Sequence, residues 1–183
     1  MSRAPFLDGA LHRLSLEIAE FAKVEIAARP PASDDDGARR EARILLQILG
    51  KGGWLRHTVP AEFGGESERL SLRALALVRE ALAYASPLAD VVFALQGLGS
   101  MPIALSGNRA MQERWLPLVA QGAAMAAFAM SEPEAGSDVS AIQTRALKVG
   151  DDYVLDGRKW FISNAGIADF YSVFATTDPA LGR

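Results

Sequence analysis

Cysteine is absent from the 183 residues of this chain. A disulfide framework, a thiolate metal site and a cysteine nucleophile are therefore excluded, and the composition suits a reducing compartment. Histidine is nearly as scarce, and His12 and His57 lie too far apart in sequence to make a metal site by themselves. No metal is expected. Positive charge is also in short supply: 19 Lys and Arg against 22 Asp and Glu leave a net charge of −3 and a pI near 5.4. There is no basic stripe of the kind that nucleic acid or an anionic membrane surface requires. The first residues lack an uninterrupted apolar core followed by a small-residue cleavage site, so no secretory signal is read and a cytoplasmic location is expected. No GxGxxG fingerprint, internal repeat or low-complexity segment occurs.

What is present is apolar residues, 50% of the chain, enough to bury a sizeable core. Leu7, Leu11, Leu14, Ile18 and Phe21 recur at helical spacing from Phe6 and predict an amphipathic helix ending before Pro30-Pro31. An acidic loop at residues 32–37 leads to a helix over 38–49, stopped by Gly50 and Gly52-Gly53. Residues 54–65 read as a loop that packs Trp54 and Phe63 inward. Ser71 caps a helix reaching about Tyr84, and Ser86-Pro87 begins another. Residues 88–105 are apolar on nearly every side, but Asp90, Gln96, Gly97, Gly99 and Pro102 interrupt them, so a central buried helix is expected rather than a membrane span. Ser106-Gly107-Asn108 introduces a last helix, over 109–122 and containing Pro117.

After Gly122 the pattern changes to β: strands are predicted at 126–130, 142–149, 153–155, 158–162 and 170–176, with hairpin turns at 150–152 and at Asp156-Gly157. The expected fold is α+β in sequence order: an all-α helical bundle over residues 1–122, then an incomplete antiparallel β-domain over 123–183. Two of these strands end in serine-bearing turns, FAMSEPEAGSD at 128–138 and KWFISNA at 159–165. Pro133 fixes a dihedral, Gly136 permits close approach, and Ser131, Ser137 and Asp138 offer short polar side chains. Such residues also punctuate ordinary strand ends, so spacing alone defines no ligand.

FAMSEPEAGSDVSAIQTRA and GDDYVLDGRKWFISNAGIADFYSVFATTDP, with VPAEFGG and GNRAMQERWLPLVAQG upstream, closely resemble the acyl-CoA dehydrogenase family of flavoenzymes across essentially the whole chain. The resemblance implies FAD as cofactor, an acyl-CoA thioester as substrate, an electron-transfer flavoprotein or another acceptor as partner, and a homo-oligomer at full length. It places the main chain of Phe128, Ala129, Met130 and Ser131, with the Ser131 hydroxyl, at the flavin pyrimidine end. Phe161 and Ile162 would pack on the ring, with the Ser163 hydroxyl near N5. Gly136 and Ser137 would contact either the flavin's phosphate side or the thioester ligand. The buried helix would supply the acyl wall, with Leu95 and Leu98 the best candidates.

Phe128, Ser131 and Phe161 depart from commoner family residues, a hydroxylated aromatic, threonine and tryptophan respectively, while keeping aromaticity and hydroxyls. The family continues into a C-terminal helical domain that usually carries the glutamate base, so that base is expected beyond Arg183, and this length of chain alone is expected to bind FAD weakly or not at all and to be inactive. Glu132 and Glu134 are expected to be turn residues facing water. An acyl-CoA oxidase or flavin monooxygenase of the same fold, or a non-catalytic binding module, remains an alternative.

Overall fold

The computed structural model describes residues 7–178, with five α-helices preceding the first strand. Helix α1, Gly9–Phe21, begins where the Asp8 carboxylate accepts the Ala10 and Leu11 N–H groups, and it runs on into one π-helical turn, Ala22–Ile26. The Phe6 start expected from periodicity lies outside the described residues. Helix α2, Asp35–Lys51, starts before the expected residue 38 because Asp34 caps it through the Gly37 N–H. Asp35 and Asp36 then occupy the first turn, where the helix dipole favours negative charge. Ser71 caps α3, Leu72–Ala85; Ser86 caps α4, Pro87–Ser106; and Asn108 caps α5, Arg109–Ala120. The loop at 54–65 contains two short 3-10 turns and does turn Trp54 and Phe63 inward.

Helix α4 is long and apolar enough to cross a membrane, yet it packs at the centre of the molecule against α2, α3, α5 and β1. Its Val92 and Phe93 meet Ile18, Leu45, Leu49, Val78 and Leu82 in one core. A second core joins Ile103, Leu116 and Val119 to Ala126 and Phe170, so helices and strands share buried surface. Gly99 is what lets them approach: a Cβ there would stand 2.7 Å from the Ala126 Cβ and 3.1 Å from the Ala127 carbonyl oxygen.

Strand β1, Ala126–Ala129, pairs with β4, Phe170–Val173, in the register Ala126↔Phe170. Strands β2, Arg145–Val149, and β3, Asp152–Asp156, form a hairpin about Gly150 at φ 62°. The hairpin is antiparallel as expected, whereas β1 and β4 run parallel, because the long connection between them returns the chain to the same end. Three expectations are corrected. Residues 158–162 are not a strand: Phe161 adopts φ 53°, a left-handed conformation that ends an extended run. Residues 142–144 do not extend β2, since the Gln143 and Thr144 N–H groups turn to the Glu132 carboxylate instead of a strand. Asp156-Gly157 ends β3 without making a hairpin. Gly157, at φ 155°, passes so close to Thr144 that a Cβ would meet its Oγ1 at 2.5 Å.

Candidate functional site

The site begins with the two edges of β1. In a parallel ladder alternate residues offer their backbone groups to opposite sides. Met125 and Ala129 face β4, accepting the Asp169 and Phe174 N–H groups at 2.8 and 3.0 Å. Ala126 faces away, and side chains take the place of a neighbouring strand: its N–H donates to Gln96 Oε1 at 2.7 Å and its carbonyl accepts Asn164 Nδ2 at 2.9 Å. Gln96 is fully buried on α4 and donates its own amide to the Ala124 carbonyl at 2.7 Å. By the same alternation Phe128 turns its N–H and carbonyl to this outer edge, where no described residue meets them. Two residues on, the Met130 carbonyl accepts Lys159 Nζ at 2.9 Å. The outer edge is thus closed on both sides of Phe128 and open at Phe128.

The second loop is tied to this edge. The Trp160 N–H donates to the Ser131 carbonyl at 2.9 Å, which brings the two serine-bearing turns together. Phe161 is 88% exposed despite its strained φ of 53°, its ring edge-on to Trp160 at 5.5 Å. Ile162 is half-buried and Ser163 exposed, and neither the Ser131 nor the Ser163 hydroxyl has a partner among the described residues. Asn164, at φ 65°, turns the chain back towards Asp169. The Asp169 carboxylate accepts the Met125 N–H at 2.7 Å and Arg43 of α2 at 2.8 Å, and Arg43 also donates to the Ile167 carbonyl. Burial alone would raise the Asp169 pKa, but Arg43 and the Met125 N–H outweigh it and hold the group below its ordinary value.

Glu132 is not the solvated turn residue expected from sequence; it is 7% exposed, while Glu134 does face water. Its carboxylate accepts Lys159 Nζ at 2.8 Å, the Gln143 N–H at 2.7 Å, the Thr144 N–H at 3.0 Å and the Thr144 hydroxyl. Burial pushes its pKa up, but these donors win and lower it to about 2. The partners are 11 to 27 residues distant in sequence, and no local spacing signals them.

The other expected residues are more scattered. Gly136 and Ser137 stand exposed on the loop, without hydrogen bonds to other described residues. Leu95 is buried on α4, whereas Leu98 is 48% exposed. Gln96, the residue that organises the edge, was read from sequence only as an interruption of an apolar helix. A lone polar residue in such a helix is itself the signal, because burial obliges it to find partners.

The profile of the acyl-CoA dehydrogenase N-terminal domain matches residues 11–123, and that of the acyl-CoA dehydrogenase middle domain matches residues 127–182. The chain belongs to the acyl-CoA dehydrogenase family. A Mycobacterium leprae protein named a probable acyl-CoA dehydrogenase is 37% identical over 171 residues, covering 93% of this chain and 43% of that protein. Cyclohex-1-ene-1-carbonyl-CoA dehydrogenase of Syntrophus aciditrophicus is 39% identical over 167 residues, 90% of this chain and 39% of that one. Among solved structures, an acyl-CoA dehydrogenase complexed with FAD from Bacillus anthracis superposes with a TM-score of 0.78 at 29% identity, over 96% of this chain and 30% of its own. The chain spans about two fifths of the length of the curated relatives it matches.

Proposed function

We propose that this chain is the FAD- and acyl-CoA-binding front half of an acyl-CoA dehydrogenase, an enzyme that oxidises the α,β-bond of an acyl-CoA thioester. The observation that carries the reading is the open backbone of Phe128 at an otherwise closed strand edge, with the unpartnered Ser131 hydroxyl beside it and the strained, exposed Phe161 joined to it through Trp160. A flat, polar-edged ring needs an apolar face and fixed donors at its heteroatoms, and these residues provide both. When bound, FAD supplies the hydride acceptor.

The main chain of Phe128, Ala129, Met130 and Ser131, with the Ser131 hydroxyl, holds the pyrimidine end in this reading. Phe161 and Ile162 pack on the ring and exclude water, and Ser163 donates near N5. Gly136 and Ser137 serve either the phosphate side or the thioester. No residue of this chain is assigned as the base: Glu132, the one buried carboxylate among the described residues, has its oxygens occupied and stays ionised down to about pH 2. Residues 1–122 form the helical domain and residues 123–183 the partial β-domain. The reading further includes a role in fatty acid metabolism, a cytoplasmic location, a homo-oligomer at full length, and an electron-transfer flavoprotein or another acceptor as partner.

The test is an amide NMR titration of the chain with FAD, and of the two outcomes the sequence leaves open, weak binding or none, this reading commits to weak binding. Perturbations should centre on Phe128, Met130, Ser131, Phe161 and Ser163; their absence at the highest soluble FAD concentration removes the reading. The acyl wall has its own check. In an active full-length enzyme Leu98→Trp should shift preference towards shorter acyl-CoAs, at an overpacking cost of about 1–3 kcal/mol. An unchanged chain-length profile would take Leu98 out of the pocket.

A further inference from the structure

The two turns that make the candidate flavin cradle have little backbone reason to stay together. Between Gly157 and Ile162 one main-chain hydrogen bond, from the Trp160 N–H to the Ser131 carbonyl, joins the second turn to the first. The loop also carries the strain of Phe161 at φ 53°, in a region L-residues rarely enter. Something other than a ladder must hold the aromatic in place.

Beside that bond lies an ion pair shielded from water. Lys159 and Glu132 meet at 2.8 Å, their side chains 13% and 5% exposed. Each also fixes a different part of the loop system. Lys159 Nζ reaches the Met130 carbonyl, next to the Phe128 edge, while Glu132 gathers the Gln143 and Thr144 N–H groups and the Thr144 hydroxyl at the foot of β2. Lys159 is therefore bonded to both residues that flank Ser131 and lies two positions before Phe161.

We propose that the Glu132–Lys159 ion pair is the positioning device of the flavin cradle, holding Phe161 and Ser163 in register with the outer edge of β1 before any ligand arrives. The inference rests on the flavin reading given above. The pair is chosen over a surface role because a buried pair is costly to assemble, and apolar residues of similar volume commonly stabilise a fold at least as well. What it supplies that they do not is directional bonds to Met130, Gln143 and Thr144. With the aromatic already placed, FAD does not have to order it on binding.

The experiment compares Lys159→Met with the unaltered chain by FAD titration and amide NMR. In the unaltered chain FAD perturbs Phe128, Met130 and Ser131 together with Phe161 and Ser163. In Lys159→Met, with the rest of the apo spectrum unchanged, the Phe161 and Ser163 perturbations should vanish and the Kd for FAD should rise about tenfold, equivalent to about 1.4 kcal/mol. A purely structural role would lower the melting temperature without separating the two halves of the footprint. A folded variant with the full footprint and an unaltered Kd overturns the inference and leaves the flavin reading standing. Absence of any footprint in the unaltered chain overturns both. If Lys159→Met does not fold, Glu132→Gln is read the same way, and failure of both to fold makes the pair a folding element and overturns the positioning role.

Discussion

The helices and the β2–β3 hairpin use their apolar residues in opposite ways. Ile18, Leu49, Val78, Leu82 and Val92 are at 0% exposure, and helices α1 to α4 bury them against one another. On the hairpin Leu147, Val149, Tyr153, Val154 and Leu155 are all more than half exposed, on both faces of a two-stranded sheet. A helix completes its hydrogen bonds internally and needs only one apolar stripe covered, which four neighbours achieve here. A hairpin completes half of its bonds and has two faces to cover, so its strands form without its side chains being buried. Burial is thus complete in the core shared by α1 to α4, and on the hairpin it depends on what is packed against the sheet.

Four perturbations test this contrast, taken from the largest effect down. Phe93→Ala, in the core around α4, should cost about 3–5 kcal/mol in urea unfolding; a loss as small as that of a surface change would show that the core is looser than its burial implies. Acid should reveal the buried Glu132 joint of the strand half. The Glu132 pKa is depressed to about 2 from an ordinary 4.5, so its contribution is complete above about pH 4.5 and disappears as pH falls through about 2. That contribution is about 3 kcal/mol at most, and the acid-dependent part of the urea midpoint should shrink in Glu132→Gln.

Where the halves meet, Gly99→Val should cost about 1–3 kcal/mol by forcing α4 from Ala126 and Ala127. Hydrogen exchange should then rise at β1 more than at α1; the reverse order would refute the contact. Leu155→Ser, on the hairpin, should change stability by no more than about 0.5 kcal/mol. A larger loss would mean that the exposed face is covered in solution.

Much of the helical half was legible because its signals are local. Ser71, Ser86 and Asn108 each cap the helix that follows, and the all-round apolar stretch is the central helix. The strand half was legible as composition and less so as pairing. Residues 158–162 have the aromatic and β-branched content of a strand, but Phe161 takes a left-handed conformation that composition does not encode. Of the candidate site, the bond from Trp160 to Ser131 that joins the two turns has no local signal, and the expectation that Glu132 faces water fails because its partners come from two separate segments, residues 143–144 and Lys159.

The amino-acid sequence by itself determined the five helices, the change to β texture near Gly122, the two serine-bearing turns and the family to which they belong. These follow from capping chemistry, periodicity and turn residues that act within a few positions of one another. Tertiary structure alone decided that β1 and β4 run parallel, that Gln96 and Asn164 stand in for a missing neighbour strand, and that Glu132 is buried against Lys159. Each of these joins residues 27 to 44 positions apart. At such separations a buried polar group takes whichever partner the packing of the helices delivers to it, and no local spacing records that choice.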